Sequence, residues 1–311
     1  MSDSRSTFPI LGTAMWGWTV EKKICFDLLD TFYGRGFREV DAATNYPINR
    51  QPEDFRLSEK ILQEWIAANG VKDLKIIMKV GSINNMRGPE NNLSKSFLLM
   101  VLDEYQYLFS KNLSTLMIHW DNRQQVDEIR SSLEALKIAR EAGLKVGLSG
   151  IKYPEVYATL NREFQFSFCI QIKHNLLHSD YARYAAFHKN ADFLSYGINA
   201  GGLKLDPEAY HELSSLKARG GNIGEEHPIV EALNGALQKA NQQLHIPRLS
   251  TFNHCGLIYA ACHPDIQGIL IGTSKVEQLK DTLSFMELIR QHDYSSFYQN
   301  LQQIAQLHAT G

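Results

Sequence analysis

The chain of 311 residues has little cysteine: Cys25, Cys169, Cys255 and Cys262 stand far apart. With no CxxC pair among them, neither a zinc ribbon nor a thioredoxin-type redox motif is written here, and reduced, buried thiols are the expectation. Net charge is almost absent too, since 32 Lys and Arg against 34 Asp and Glu leave a formal −2. A chain without basic excess has no bulk charge to neutralise phosphates, which argues against a nucleic-acid partner. No apolar run reaches the roughly 18 residues of a membrane span, and the apolar start, FPILGTAMWGW, is too short for a signal-peptide core. A cytoplasmic location follows by elimination. A GxGxxG turn is also missing, and with it the usual mark of an open dinucleotide-binding sheet; the nearest match, Asn199-Ala-Gly-Gly-Leu, comes late in the chain.

What is present is alternation. Short apolar runs rich in β-branched residues predict strands at Ile10 to Met15, Arg38 to Ala43, Leu74 to Val80, Ser114 to Trp120, Lys145 to Ser149, Cys169 to Lys173, Ala191 to Ile198 and Gly268 to Gly272. Between them lie stretches of helical period. One runs from Gln124 to Ala142, with Val126, Ile129, Leu133 and Leu136 on one face and Gly143 as its C-cap. Another runs from Val276 to Ile289, with Leu279, Leu283 and Met286 on one stripe. Runs such as LKIIMKV and LSTLMIHW suit strands covered on both faces, as in a parallel sheet. Eight such alternations point to an α/β fold of the (β/α)8 TIM barrel type, in one domain spanning residues 1–311, with a doubly wound sheet as the competitor. Three connections are longer than a barrel needs: Pro47 to Leu57, Ser82 to Asn92, and Gly202 to about Pro228. Long loops of this kind carry function more often than they fill space.

In such a barrel, chemistry sits where strands end and β→α loops begin. The second strand carries Asp41 and is followed by Tyr46; the third ends with Lys79 inside IIMKVG, and the fourth with His119 inside LMIHWD. A lysine in an apolar strand is expensive unless paired, and an aspartate at the neighbouring strand end supplies the pairing. A cation beside a phenol favours its ionised form. Tyr46 is then poised to give a proton to a substrate oxygen that His119 orients.

These residues carry a resemblance. The sequence resembles the aldo-keto reductases, which set an Asp, Tyr, Lys, His tetrad on a (β/α)8 barrel, and each member has its match in Asp41, Tyr46, Lys79 and His119. The likeness runs over nearly the whole chain, through LGTAMWG, VDAATNY with a later Ser58-Glu59, IIMKVG, LMIHWD, VGLSG, CIQIKHNLL, LSYGINAGGLK and ILIGTSKVEQLKDTL. It implies reduction of an aldehyde or ketone, such as a sugar derivative or keto acid, by direct hydride transfer from a nicotinamide cofactor, with Tyr46 as general acid and no metal. The resemblance assigns Ser149 and Gln171 to the nicotinamide carboxamide and Tyr196 to stacking on the ring. Thr13 and Ala14 belong to the same cofactor set, as do Gly197, Asn199, Gly201 and Gly202 near the pyrophosphate. Gly272, Thr273, Ser274, Lys275, Gln278 and Asp281 open the last predicted helix, whose amides form an anion site for the 2′-phosphate of NADP(H); NAD(H) is the alternative. Trp16 and Trp120 are expected as a substrate wall. The likeness further implies a monomer or weak oligomer.

The chain also departs from the pattern. Gly150 stands where the family usually has asparagine, and Gln278 where it often has arginine, so Lys275 is left to meet a phosphate. A long loop carrying Arg50, Phe55 and Arg56 replaces the family's short turn after the tyrosine, and one of these arginines is expected to meet an anionic or heavily hydroxylated substrate. Two rival readings remain: a cofactor-binding regulatory module without catalysis, and a lyase or isomerase using Lys79 as a Schiff-base nucleophile. The first has no need of a tuned phenol, and the second needs a lysine free of its aspartate.

Overall fold

The computed structural model describes residues 7–88, 90–210, 215–218, 220 and 227–308. Strands β1 (Phe8–Gly12), β2 (Glu39–Ala43), β3 (Lys75–Val80), β4 (Leu113–His119), β5 (Lys145–Ser149) and β6 (Phe168–Asn175) follow one another around a sheet in chain order. After β7 (His178–Ser179), a two-residue strand that turns back antiparallel on β6, come β8 (Ala191–Tyr196) and β9 (Ile266–Ile271). Parallel pairing of β6 with β8, of β8 with β9 and of β9 with β1 closes the sheet into an eight-stranded barrel. β7 lies outside that ring and has no signal in the sequence, because two residues show no period.

The described helices are α1 (Lys22–Gly34), α2 (Leu57–Asn69), α3 (Lys95–Phe109), α4 (Val126–Glu141), α5 (Pro154–Phe164), α6 (Ser215–Ala218), α7 (Ile229–Gln243), α8 (Phe252–Ala261), α9 (Val276–Gln291) and α10 (Ser295–His308). Helices α1 to α5 each follow the strand of the same number, which is the alternation read from the sequence. In α4, Ile129, Leu133 and Leu136 are buried as their spacing predicts, whereas Val126 at the first turn is 49 % exposed and drops off the stripe. Gly143 stands just past the end of that helix with φ +90°.

Two apolar layers hold the molecule together. The larger lies between the outer face of the strands and the helices. The smaller, made by Ile10, Ile77, Met117, Cys169, Leu194 and Leu270, fills the barrel interior, with Tyr196 packed against it. That interior is tight. A Cβ at Gly147 would stand 2.4 Å from the Cys169 carbonyl oxygen and 2.7 Å from Met117 Cγ, so bulk on β4 is matched by its absence on β5.

The first predicted strand ends early: Met15 lies in a turn instead, where the Trp16 amide donates to the Thr13 carbonyl at 3.1 Å. Two of the three long connections form a single wall at the C-terminal end of the barrel. Asn85 Nδ2 donates to Asn49 Oδ1 at 3.1 Å and to the Gln51 carbonyl at 2.6 Å, and Arg87 Nε donates to the Ile48 carbonyl at 2.8 Å. Of the third connection, residues 211–214, 219 and 221–226 lie outside the described residues.

Candidate active site

The barrel's C-terminal end gathers the polar residues that the apolar interior cannot take. Asp41 on β2 and Lys79 on β3 sit on neighbouring strands, with Ala43 opposite Lys79. The Lys79 ammonium donates to Asp41 Oδ2, and both side chains are only about 1 % exposed. Burial pulls the Lys79 pKa below its ordinary value while Asp41 holds it up. Tyr46 lies in the turn that leaves β2, its amide bonded to the Ala43 carbonyl at 3.1 Å. The Lys79 nitrogen is 4.9 Å from the centre of its ring.

His119 ends β4. Its imidazole stands edge-on to Tyr46, with ring centres 6.3 Å apart and planes at 88°. It is 3 % exposed, and burial, with the Lys79 charge second, holds its pKa well below the usual histidine range. The imidazole is therefore held in its neutral form rather than as a cation. Its Nδ1 is buried without a hydrogen-bond partner among the described residues, an unmet polar atom at the barrel mouth.

The tetrad expected from the sequence is thus brought together. Gln171 joins it by a route the sequence did not show: from β6, across the barrel, its amide nitrogen donates to Asp41 Oδ1. Asp41 is therefore held from two sides, and Gln171 keeps its carbonyl oxygen for another partner. Ser149 lies between His119 and Gln171 in the strand register, and Tyr196 is level with Lys173 at the end of β8.

The remaining expected positions fall into three groups. Thr13 braces the tetrad from beneath, since its hydroxyl donates to the Asp41 carbonyl at 2.9 Å and its own carbonyl accepts from Ser58 Oγ at 2.9 Å; half-buried Ala14 follows it. Beyond β8, Gly197, Gly201 and Gly202 have φ of +69°, +82° and +107°, and the Asn199 carbonyl accepts from the amides of Gly202 and Leu203 at 2.8 Å each. That turn runs in a backbone conformation that glycine accepts freely. Beyond β9, Gly272, Lys275, Gln278 and Asp281 are exposed, with Thr273 and Ser274 half-buried at the start of α9. Gln278 is bonded to the Thr273 hydroxyl at 3.1 Å, so the position where an arginine is often found closes a local turn.

Two expectations are corrected. Trp16 is 1 % exposed and packs in the layer between strands and helices, so it forms no wall at the mouth; the early end of β1 turns it inward. Arg56 is not free for a substrate. Its guanidinium pairs with Glu59 at 2.6 Å and Glu104 at 2.8 Å and lies 5.3 Å from the Tyr105 ring, whose hydroxyl donates to Glu59 Oε2 at 2.5 Å. Glu59 lies three residues on, in the first turn of α2, whereas Glu104 and Tyr105 come from α3, far in sequence. Arg50 remains exposed. Among the described residues no cluster of His, Cys, Asp and Glu suits a metal ion, and no described helix is long and apolar enough to cross a membrane.

The Aldo/keto reductase family matches residues 10–299 of the chain. The chain belongs to that family. Among curated proteins it is 34 % identical over 155 residues to norsolorinic acid reductase of Emericella nidulans, covering 45 % of this chain and 38 % of that protein. It is 28 % identical over 143 residues to the aryl-alcohol dehydrogenase [NADP(+)] of Phanerodontia chrysosporium, covering 42 % and 35 %. The matched segments span less than half the length of these relatives. Among solved structures, the holo form of an aldo-keto reductase from Bacillus halodurans superposes with a TM-score of 0.71 over 98 % of this chain and 93 % of that one, at 15 % identity, a likeness of fold.

The residues present fit the nicotinamide cofactor of this family. Ser149, Gln171 and Tyr196 stand on consecutive strands of the barrel beside the tetrad, and a Cβ at Gly272 would meet nothing within 4 Å. At the start of α9 the N-cap residue, Lys275, makes no side-chain capping bond to the first-turn amides, which have no partner within the helix.

Proposed function

We propose that this protein catalyses the NADP(H)-dependent reduction of an aldehyde or ketone to the alcohol. The observation that carries the reading is the buried Lys79–Asp41 pair beneath the Tyr46 ring, with a neutral His119 at right angles to it. When bound, the cofactor supplies the hydride. The chain does the rest. His119 donates to the carbonyl oxygen and sets its direction, and Tyr46 delivers its hydroxyl proton to the same oxygen as negative charge develops there. The Lys79 ammonium stabilises the phenolate left behind, and Asp41, braced by Gln171 and Thr13, keeps that ammonium in place.

Ser149 and the Gln171 carbonyl oxygen hold the carboxamide, Tyr196 supports the ring, the turn from Gly197 to Gly202 receives the pyrophosphate, and Lys275 with the α9 amides meets the 2′-phosphate. The NADP(+) named for the aryl-alcohol relative supports this cofactor choice. The test is turnover of a panel of aldehydes and ketones with NADPH or NADH, followed at the nicotinamide absorbance band. Oxidation of NADPH that is lost in Tyr46→Phe is the expected result, and an unchanged rate in Tyr46→Phe would overturn the assignment.

A further inference from the structure

Strand β6 alternates its side chains between the barrel interior and the helix layer. Cys169 belongs to the interior cluster, and Gln171 reaches Asp41 from the same face, so Lys173 and Asn175 continue that face to the C-terminal mouth of the barrel. In the parallel register with β8, Lys173 stands opposite Tyr196. Asn175, 2 % exposed, donates through Nδ2 to the Gly197 carbonyl at 2.9 Å, and its Oδ1 accepts from the amides of Leu177 and His178 at 2.9 and 3.0 Å. Both residues flank Gly197: a Cβ there would lie 3.7 Å from Lys173 Cγ and 3.9 Å from Asn175 Nδ2.

Lys173 is half-buried, and its stem runs beside the turn that opens at Gly197. A long aliphatic stem laid along the protein carries its ammonium towards the polar mouth. That ammonium has no carboxylate partner among the described residues. Asp180, whose amide donates to the Lys173 carbonyl at 2.9 Å, gives its carboxylate to His178 Nε2 at 2.9 Å and to Arg183 at 3.1 Å. A half-buried cation without a counter-charge is costly, and an anion brought to it offsets that cost. The turn from Gly197 to Gly202 carries no charged side chain, and Lys204 beyond it donates to the Ala209 carbonyl. With a formal charge of −2 on the whole chain, attraction for an anion at this turn is local.

We propose that Lys173 is a further cofactor-binding residue, its ammonium meeting the pyrophosphate of the dinucleotide at the turn from Gly197 to Gly202 that Asn175 holds in place. This rests on the reading of the site as a nicotinamide-dependent reductase. The pyrophosphate is common to NADP(H) and NAD(H), so a cation placed there strengthens both alike, whereas a cation at the 2′-phosphate separates them. A charge-assisted contact from a half-buried ammonium accounts for about tenfold in affinity.

The experiment is fluorescence titration of NADPH and NADH, without substrate, in the wild type, Lys173→Met, Lys173→Gln and Lys173→Arg, with urea unfolding of the cofactor-free proteins as the control for folding. Lys173→Met and Lys173→Gln are expected to weaken both cofactors about tenfold and by equal factors, with Lys173→Arg keeping most of the affinity. Added salt is expected to weaken cofactor binding more in the wild type than in Lys173→Met, because the variant has lost one screened attraction. Unchanged affinity for both cofactors in the folded Lys173→Met and Lys173→Gln proteins, or a loss confined to NADPH, would overturn the proposal. So would unchanged cofactor binding with KM raised for succinic semialdehyde and not for butanal, which would put the ammonium on a substrate carboxylate. A wild type that binds neither NADPH nor NADH would instead overturn the reductase reading on which the proposal rests.

Discussion

Replacing Lys79 with methionine removes an ammonium and keeps an unbranched side chain of similar reach. Lys79 and Asp41 are each about 1 % exposed, so the carboxylate is left buried, with the Gln171 amide still donating to it. Breaking a buried pair from one side costs about 3–5 kcal/mol, a large part of the roughly 5–15 kcal/mol that holds a typical domain folded. The same ammonium is 4.9 Å from the Tyr46 ring. At an effective dielectric constant of about 20, a unit charge at that distance stabilises a phenolate by about 3 kcal/mol, which is about two orders of magnitude in rate. Urea unfolding and steady-state turnover read the two consequences separately. Adding Asp41→Asn removes the stranded charge while keeping an oxygen for Gln171 to donate to, so the double variant is expected to regain most of the lost stability and none of the rate. A Lys79→Met protein as stable and as active as the wild type would refute the reasoning. So would a double variant whose activity returns with its stability.

Further tests address parts of the structure away from that pair. His174 is buried, and its pKa is lowered to about 3 by burial first and His263 second. Because its folded value lies below the ordinary one of about 6.5, the unfolded chain binds more protons as pH falls through 6.5, and stability is lost from there down towards about 3. At about pH 5 that loss is about 2 kcal/mol, and urea midpoints at about pH 7.5 and 5 should differ less in His174→Gln; an equal difference would contradict the burial argument. Arg56→Met leaves the buried Glu59 with Tyr105 as its one side-chain partner among the described residues and should cost about 1–3 kcal/mol, with KM for neutral and anionic carbonyls moving alike. A KM rise confined to anions would restore Arg56 to substrate binding. Lys275→Met is expected to weaken NADPH about fivefold in fluorescence titration and to leave NADH unchanged; equal weakening would remove Lys275 from the phosphate site.

The barrel was legible because its signal is repeated. Each strand on the list of eight is a short apolar run bounded by polar residues, and an error of one or two residues at an end, as at Met15, does not change the count. The tetrad was legible for a chemical reason: a lysine inside IIMKVG and a histidine inside LMIHWD are costly in apolar strands, and that cost marks them. Contacts between distant segments were not legible. Nothing near Gln171 in sequence announces that it reaches across the barrel to Asp41, and nothing near Arg56 names Glu104 or Tyr105 as partners. Trp16 was misplaced because a tryptophan at a strand end looks the same in sequence whether the following turn points it inward or out. Gly150 read from sequence as a missing contact, whereas the Trp120 indole beside it supplies a steric reason for the glycine.

The mechanism is tested most directly by NADPH deuterated at the transferable C4 position, with the alcohol product examined by mass spectrometry in wild-type and Tyr46→Phe protein. Direct hydride transfer with Tyr46 as proton donor requires one deuteron on the carbinol carbon in the wild type, and loss of product formation in Tyr46→Phe while NADPH still binds. Product without deuterium from both C4 positions, or deuterated product formed equally fast by Tyr46→Phe, would contradict it.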